Sequence, residues 1–453
     1  MTSKQQTSRQ PLMDQRDNRD QRENRDQRDS RAYDRILVTY AELALKGRNR
    51  ADFRRRLVDN LVWRLRAEGL DWKVGFRHDR IYVEVPRDSA QESLDVALAM
   101  VTATPGVATV SRARFFPRSN EPWPAHPDMG GVEEEVLGLA RQHFGPGQSF
   151  RVKVKRADKR FPGRSSDLER ELGALILRET GWEKVKLKDP DRNFQVSIYP
   201  EGIYVTAERR RAVGGLPVGS GGRVLTLLSG GLDSPVAAWM MARRGCSMDF
   251  VHFTATHLQL NEAEDNKVAQ LARILSQTTL RSRIYLLPYT HFDLALLGNP
   301  TPYSLALFRR FIARCAERLA ETTGARALVN GDSLGQVASQ TLDNMVSNSR
   351  AIDMPLLRPL VGMDKNEIVD MARRIGTFDL SVAPYKDCCA LIDREPRTRS
   401  RHEHLSRIEQ EALGDYDGLI DATLADAVCL EFECGQRVDA DRPDPLRRKA
   451  AAR

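Results

Sequence analysis

Residues 223–243 read RVLTLLSGGLDSPVAAWMMAR, and the fold turns on this stretch. RVLTLL (223–228) is a short apolar run with little polar alternation, the pattern of a strand covered on both faces. SGGLDSP (229–235) breaks it with two glycines, and the helical AAWMMARRG follows. Strand, glycine loop and helix in that order make an anion site. Gly230 and Gly231 let a phosphate approach backbone N–H groups, and the helix N-terminus adds partial positive charge. Ser234 is placed to cap the helix and Pro235 fits its first turn. No Lys follows the glycines as GxxxxGK[ST] requires, which disfavours γ-phosphoryl transfer. Binding of the ATP pyrophosphate as a leaving group remains.

Three more apolar runs, SMDFVHF (247–253), RIYLLPY (283–289) and ARALVNG (325–331), alternate with helical stretches. Together they predict a doubly wound parallel sheet. Before the glycine-rich joint AVGGLPVGSGG (212–222) the pattern is different. RILVTY (35–40), a basic helix at 49–69, strands WKVGFRH and RIYVEV, a helix at 89–100 and VATVSRARFF (107–116) lead to the Pro-rich RSNEPWPAHPD (118–128). A second α+β unit follows: a helix at 132–144, SFRVKVKR (149–156), a helix at 166–180, then FQVSIYP and GIYVTAER.

The 453 residues allow two or three domains, and no apolar run approaches the roughly 20 residues of a membrane span. Residues 1–30 are polar and built on an Arg/acid/amide repeat, which predicts a disordered tail without an export signal. A reducing cytoplasm is therefore expected, with Cys246, Cys315, Cys388, Cys389, Cys429 and Cys434 as free thiols. No CxxC or Cys/His spacing predicts a metal site. The net charge of +8 is uneven. Residues 1–30 hold seven basic against six acidic groups, 31–221 hold 34 against 26, and 222–453 hold 29 against 30. The surplus sits in the middle piece, as a polyanion-binding region requires.

SGGLDS resembles the pyrophosphate loop of the adenylating PP-loop ATPases. YAELALKGRNRADF (40–53), RADKRFPGRSSDLERELG (156–173), GDSLGQVASQT (331–341), RPLVGMDKNEI (358–368) and APYKDCCALI (383–392) narrow the resemblance. They are similar to the tRNA uracil 4-sulfurtransferases, or 4-thiouridine synthetases. Beyond the disordered tail at 1–30, which lies outside it, the resemblance implies a ferredoxin-like α+β subdomain at 31–95 and a THUMP RNA-binding domain at 96–211. A PP-loop ATPase/sulfurtransferase domain would fill 212–434, with a disordered tail at 435–453. It also implies ATP-dependent adenylation of the C4 oxygen of a tRNA uridine, usually position 8, and its replacement by persulfide sulfur.

By the same resemblance, Leu227, Leu228, Ser229, Gly230, Gly231, Asp233, Ser234, His252, Phe253, Arg309, Gly331 and Gln340 bind ATP. Asp233 is expected near Mg2+ and the phosphates, Lys365 beside the pyrophosphate or the adenylated intermediate, and Arg310 is a weaker neighbour of Arg309. Cys388 matches the catalytic cysteine, and Cys389 is the second choice in a thiol relay. Lys386 and the basic segment 394–401 would favour a thiolate. Lys153, Lys155, Arg156, Lys159, Arg160 and Arg164 are the RNA-binding candidates, and Arg54, Arg55 and Arg56 form another dense cluster.

The expected partners are tRNA and a cysteine desulfurase or other persulfide donor, with no membrane and a homodimer left open. The chain ends 19 residues after Cys434, so the form expected lacks the C-terminal rhodanese domain of some members. A link to thiamine thiazole sulfur stays open. The competing readings are another PP-loop adenylating tRNA-modifying enzyme and a non-catalytic tRNA-binding protein.

Overall fold

The computed structural model describes residues 32–40, 49–78, 80–119, 121–255, 257–337, 339–385, 388, 392 and 401–438. The expected tail at 1–30, Lys386, Cys389, residues 394–400 and everything after 438 lie outside the described residues. The chain divides into two compact units.

The first unit, Met1–Val38, Gly75–Leu98 and Val110–Arg210, is built on a nine-stranded sheet. Its strands are β1 (Tyr33–Thr39), β2 (Val74–Arg77), β3 (Arg80–Glu84), β4 (Thr109–Pro117), β5 (Ser149–Arg156), β6 (Lys184–Val185), β7 (Arg192–Tyr199), β8 (Gly202–Thr206) and β9 (Arg210–Arg211). They run in the order β2-β3-β1-β4-β8-β7-β5-β6, with β9 beside β4. One sheet therefore crosses the boundary that the sequence pattern suggests at 95/96. Side-chain alternation splits its faces. Val152, Val154, Phe194, Val196, Ile203 and Val205 meet Val132, Val136, Leu172 and Ile176 of the helices Gly130–Gln142 and Ser165–Glu179. On the opposite face Leu37, Tyr82, Phe115, Tyr199 and Tyr204 cluster. The buried Arg35 guanidinium lies 3.8 Å from the Phe115 ring centroid and donates to Glu84 at 2.8 Å and to the Tyr204 hydroxyl at 2.7 Å. A buried cation is tolerated there because carboxylate, hydroxyl and ring faces all meet it.

The second unit, Thr39–Val74, Ala99–Thr109 and Arg211–Arg453, holds a seven-stranded sheet. Its strands are β10 (Arg223–Leu227), β11 (Ser247–Thr254), β12 (Arg281–Pro288), β13 (Leu328–Val329), β14 (Leu356–Leu357), β15 (Val428–Glu433) and β16 (Gln436–Val438), in the order β14-β13-β10-β11-β12-β15-β16. The first five are parallel, and β15 and β16 add antiparallel pairs at one edge. Val224, Phe250, Ile284 and Leu286 enter one core, while Leu225, Val251, Tyr285 and Leu287 enter another. Successive residues of each strand thus feed two apolar layers, which is what a doubly wound sheet requires.

The basic helix predicted at 49–69 forms as Arg50–Ala67 and groups with this second unit. Leu57, Leu61 and Leu65 are buried, and Asn60 donates to the Val218 carbonyl at 3.1 Å. Residues 436–438, which the sequence suggests as the start of a tail, are instead ordered as β16 by pairing with β15. Among the described residues, no helix is long and apolar enough to cross a membrane.

Candidate active site

Strand order places the site. The chain moves from β10 to β11 and β12 on one side, then returns to β13 and β14 on the other. The C-terminal ends of β10 and β13 therefore flank a topological switch point, where open α/β sheets bind ligands. The loop 229–232 leaves β10 there, and the helix Asp233–Arg243 begins at once.

The expected cap by Ser234 is not what forms. Leu232 is the N-cap residue, without a side-chain cap, and Ser234 lies inside the first turn. Its hydroxyl accepts from the Ser229 backbone N–H at 2.8 Å and stands 3.0 Å from the Ser229 hydroxyl. The serine folds the loop back on itself, leaving the first-turn N–H groups without a side-chain cap.

Two glycines are required by close approach. A Cβ on Gly331 would stand 2.6 Å from the Ser234 nitrogen, so the segment after β13 can pass the helix start only without a side chain. A Cβ on Gly230 would meet the Tyr385 ring at 2.7 Å.

His252 is buried and bonded at both ring nitrogens, Nδ1 to the Leu228 carbonyl at 2.9 Å and Nε2 to the Tyr385 hydroxyl at 2.7 Å. A carbonyl can only accept, so Nδ1 carries a proton, while Nε2 shares its hydrogen bond with the Tyr385 hydroxyl. Asn266 donates to the same hydroxyl at 3.2 Å. This chain of bonds fixes the wall beside Leu228, and it gives His252 a shaping role.

Asp233 accepts from Lys365 Nζ at 3.0 Å and from Gln336 Nε2 at 2.9 Å. Lys365 opens the helix Lys365–Arg374, which a capping box between Asp364 and Glu367 holds in place. Behind this pair lies a second carboxylate, Asp332, bonded by Arg309, by Asn330 at 2.6 Å and by Arg358 at 3.4 Å. Burial penalises its charged form, yet the two guanidiniums outweigh that and hold its pKa below the ordinary value. Arg309 also donates to the Ser339 hydroxyl at 2.8 Å. Gln340 is buried nearby, and the side-chain carbonyls of Gln336 and Gln340 find no donor among the described residues.

Arg310 points the other way. It is fully buried, donates to both Glu409 oxygens at 2.8 and 2.7 Å and reaches Ser347 and Ser406, so it is a core ion pair outside this cluster. Cys388 is also buried, and its thiol donates to the Phe253 carbonyl at 3.1 Å. Leu228 and Phe253 are buried and Leu227 half-buried, Leu228 in one apolar layer and Phe253 in the other.

In the first unit, Lys153 and Lys155 alternate with the inward Val152 and Val154, so they stand on the face opposite the helices. Lys155 Nζ lies 5.8 Å from the Tyr199 ring centroid. Lys159, Arg160 and Arg164 are exposed and Arg156 half-exposed. Arg160 clasps Asp158 with two bonds of 2.9 and 3.0 Å and holds that carboxyl well below the usual range. A cavity of about 340 Å³ in this unit, lined by Asp34, Arg112, Arg114, Glu135 and Glu208 among others, contains none of the candidate residues.

Tyr385, Gln336 and Asp332 bond to candidate site residues, and Arg358 to Asp332, and the sequence does not single out any of the four. All four lie inside or at the edge of the motifs that carry the resemblance, in which only Gly331, Gln340, Lys365 and the cysteines stand out by residue type.

Three family models match in order along the chain: "ThiI ferredoxin-like domain" over residues 35–111, "THUMP domain" over 128–208 and "Thiamine biosynthesis protein (ThiI)" over 219–413. A probable tRNA sulfurtransferase of Brevibacillus brevis is 38% identical over 398 residues, covering 87% of this chain and 95% of the relative. One from Geobacillus kaustophilus is 35% identical, covering 89% and 98%. The crystal structure of a 4-thiouridine synthetase in complex with RNA and with bound ATP superposes with a TM-score of 0.78 at 31% identity, covering 88% of this chain and all of that one. With this identity across nearly the whole length of its relatives, the chain belongs to the tRNA sulfurtransferase family.

Proposed function

We propose that this protein is an ATP-dependent enzyme of the cytoplasm that converts a tRNA uridine, at position 8, into 4-thiouridine. The observation that carries the reading is the glycine loop at the switch point, with Asp233 and Lys365 paired at the start of its helix. ATP would lie in the crevice with its pyrophosphate on Ser229, Gly230, Gly231 and Ser234. Leu227, Leu228, His252, Phe253, Arg309, Gly331 and Gln340 would enclose the rest. The orphaned carbonyls of Gln336 and Gln340 fit this, because a buried acceptor without a donor is costly until a ligand supplies one. A single carboxylate completed by phosphate oxygens and water also suits Mg2+. When bound, Mg2+ neutralises phosphate charge, and Asp233 would hold it in exchange for its bonds to Lys365 and Gln336.

Lys365, released from Asp233, stabilises the departing pyrophosphate as the uridine C4 oxygen attacks the α-phosphorus. Sulfur from a persulfide on Cys388 then attacks C4, and AMP leaves with the former C4 oxygen. A second thiol, for which Cys389 is the candidate, attacks the Cys388 sulfur, so that the thiouridine sulfur leaves and a Cys388–Cys389 disulfide forms, to be reduced by an external thiol before the next turnover. A cysteine desulfurase or other persulfide donor loads the cysteine. The Cys388 thiol is buried against Phe253, so loading requires that thiol to become exposed. Lys153, Lys155, Arg156, Lys159, Arg160 and Arg164 offer the tRNA backbone a cationic surface. The thiamine description of the family model favours a second output, sulfur for a thiazole ring.

The test is mass spectrometry of tRNA nucleosides after incubation with ATP, Mg2+, cysteine and a desulfurase. 4-Thiouridine with AMP and pyrophosphate is expected. ADP in place of AMP would overturn adenylation, and a thiouridine substituted at the 2-position would overturn the assignment of C4.

A further inference from the structure

Three segments far apart in sequence meet at one end of the seven-stranded sheet. His257 lies just beyond β11, His291 is the second residue of the helix Thr290–Leu297 that follows β12, and Asp426 closes the helix Tyr416–Ala425 just before β15. Their meeting follows from topology. β12 pairs with β11 in parallel and with β15 antiparallel, so the ends of β11 and β12 adjoin the beginning of β15, with Leu286 opposite Val428.

We propose that His257, His291 and Asp426 bind one divalent transition-metal ion of the zinc class. The ligand atoms of the three side chains all lie within 4.8 Å of one another. His291 Nε2 is 2.7 Å from Asp426 Oδ2, and His257 Nε2 is 3.8 Å from the same oxygen. Ligands held about 2.0–2.2 Å from a tetrahedral ion stand roughly 3.4 Å apart. The short pair must open by about 0.7 Å and the long pair close by about 0.4 Å, while the two imidazoles, within 4.8 Å of each other, close to the same spacing, all by side-chain rotation. Two imidazoles turned toward one carboxylate exceed what a lone His–Asp hydrogen bond uses. The Thr290 hydroxyl, 3.2 Å from His257 Nε2, adds a polar neighbour.

The donor set selects the ion. Two neutral imidazole nitrogens and one carboxylate suit Zn2+, Co2+ or Ni2+, whereas Mg2+ and Ca2+ prefer all-oxygen sets. The side chains are 55%, 28% and 42% exposed, so a fourth position opens to solvent, as in exchangeable three-ligand sites. His257 lies four residues beyond Phe253, whose carbonyl holds the Cys388 thiol. An ion here would fasten the chain segments that leave β11 and β12 beside that cysteine.

The experiment is a Co2+ titration of the metal-stripped, full-length protein, read by visible d–d absorption, with Zn2+ as competitor. One equivalent is expected, without the thiolate charge-transfer band that cysteine ligation would give, and displaced by Zn2+. His291→Ala and Asp426→Asn should each weaken binding by at least about 100-fold, the upper end of what outer-shell changes cost. Circular dichroism of both metal-free variants should match the parent, and His257→Ala provides a third variant with a more exposed side chain. Absence of a bound equivalent in the parent, a thiolate band, or equal affinity in correctly folded variants would overturn the site.

Discussion

Two groups of cations, the exposed lysines and arginine of the first unit's β5 and its following loop and those around the glycine loop of the second, are held in different ways. Along β5 and the loop after it, Lys153, Lys155, Lys159 and Arg164 are exposed on the surface. Around the candidate crevice, Arg309 and Arg358 are held by Asp332 and Lys365 by Asp233, while in the core away from it Arg310 is held by Glu409. Exposed cations bind a polyanion by releasing its counterions, which makes that binding additive and sensitive to salt. Cations held by carboxylates keep fixed positions and add little net charge, which would suit a pocket that orients one triphosphate.

The largest expected effect is on chemistry alone. Cys388→Ser should lower thiouridine formation by on the order of 10³-fold or more while pyrophosphate release persists, since the thiol acts after adenylation. Normal yield from the variant would remove Cys388 from its role. Next, the neighbours Arg309 and Arg310 should separate cleanly. Arg310→Met leaves Glu409 buried without its main partner and should cost about 3–5 kcal/mol in urea unfolding, largely recovered by adding Glu409→Leu. Arg309→Ala should instead raise the KM for ATP with less loss of stability, and equal destabilisation by both would break the contrast.

Asp332 gives a dependence on pH. Its folded pKa is depressed, so its contribution is complete above the unfolded value of about 3.9 and is lost as pH falls through the folded one. Stability of the parent should therefore fall more steeply below about pH 4 than that of Asp332→Asn, which has no such carboxyl to protonate. Identical acid limbs would contradict the pairing. The smallest effect belongs to the open cations. Lys153→Ala with Lys155→Ala should weaken binding to all tRNAs alike and lower the salt slope by about 1 for each lysine–phosphate pair removed, and an unchanged slope in a binding titration would take these lysines off the RNA surface.

What can be read in the sequence is what is local. β10, its glycine loop and the helix after it occupy adjacent positions, and alternating apolar runs disclose β11, β12 and β13. β15 escapes such a reading, because VCLEFE becomes a strand by pairing with β12 some 150 residues earlier. Arg309 and Arg310 are neighbours on one helix, and only Glu409, brought by a distant helix, decides which of them faces the core. Ser234 has the right residue type for a cap, yet the turn of the loop gives its hydroxyl a nearer partner in Ser229. His257, His291 and Asp426 share no spacing at all, because their proximity exists only once the sheet has ordered its strands.

The most direct test of the account follows the oxygen that is lost. A tRNA carrying heavy oxygen at C4 of the target uridine is turned over once, and AMP is weighed. Adenylation of C4 predicts that the heavy atom leaves in the AMP phosphate. Heavy oxygen recovered in water, with unlabelled AMP, would contradict it.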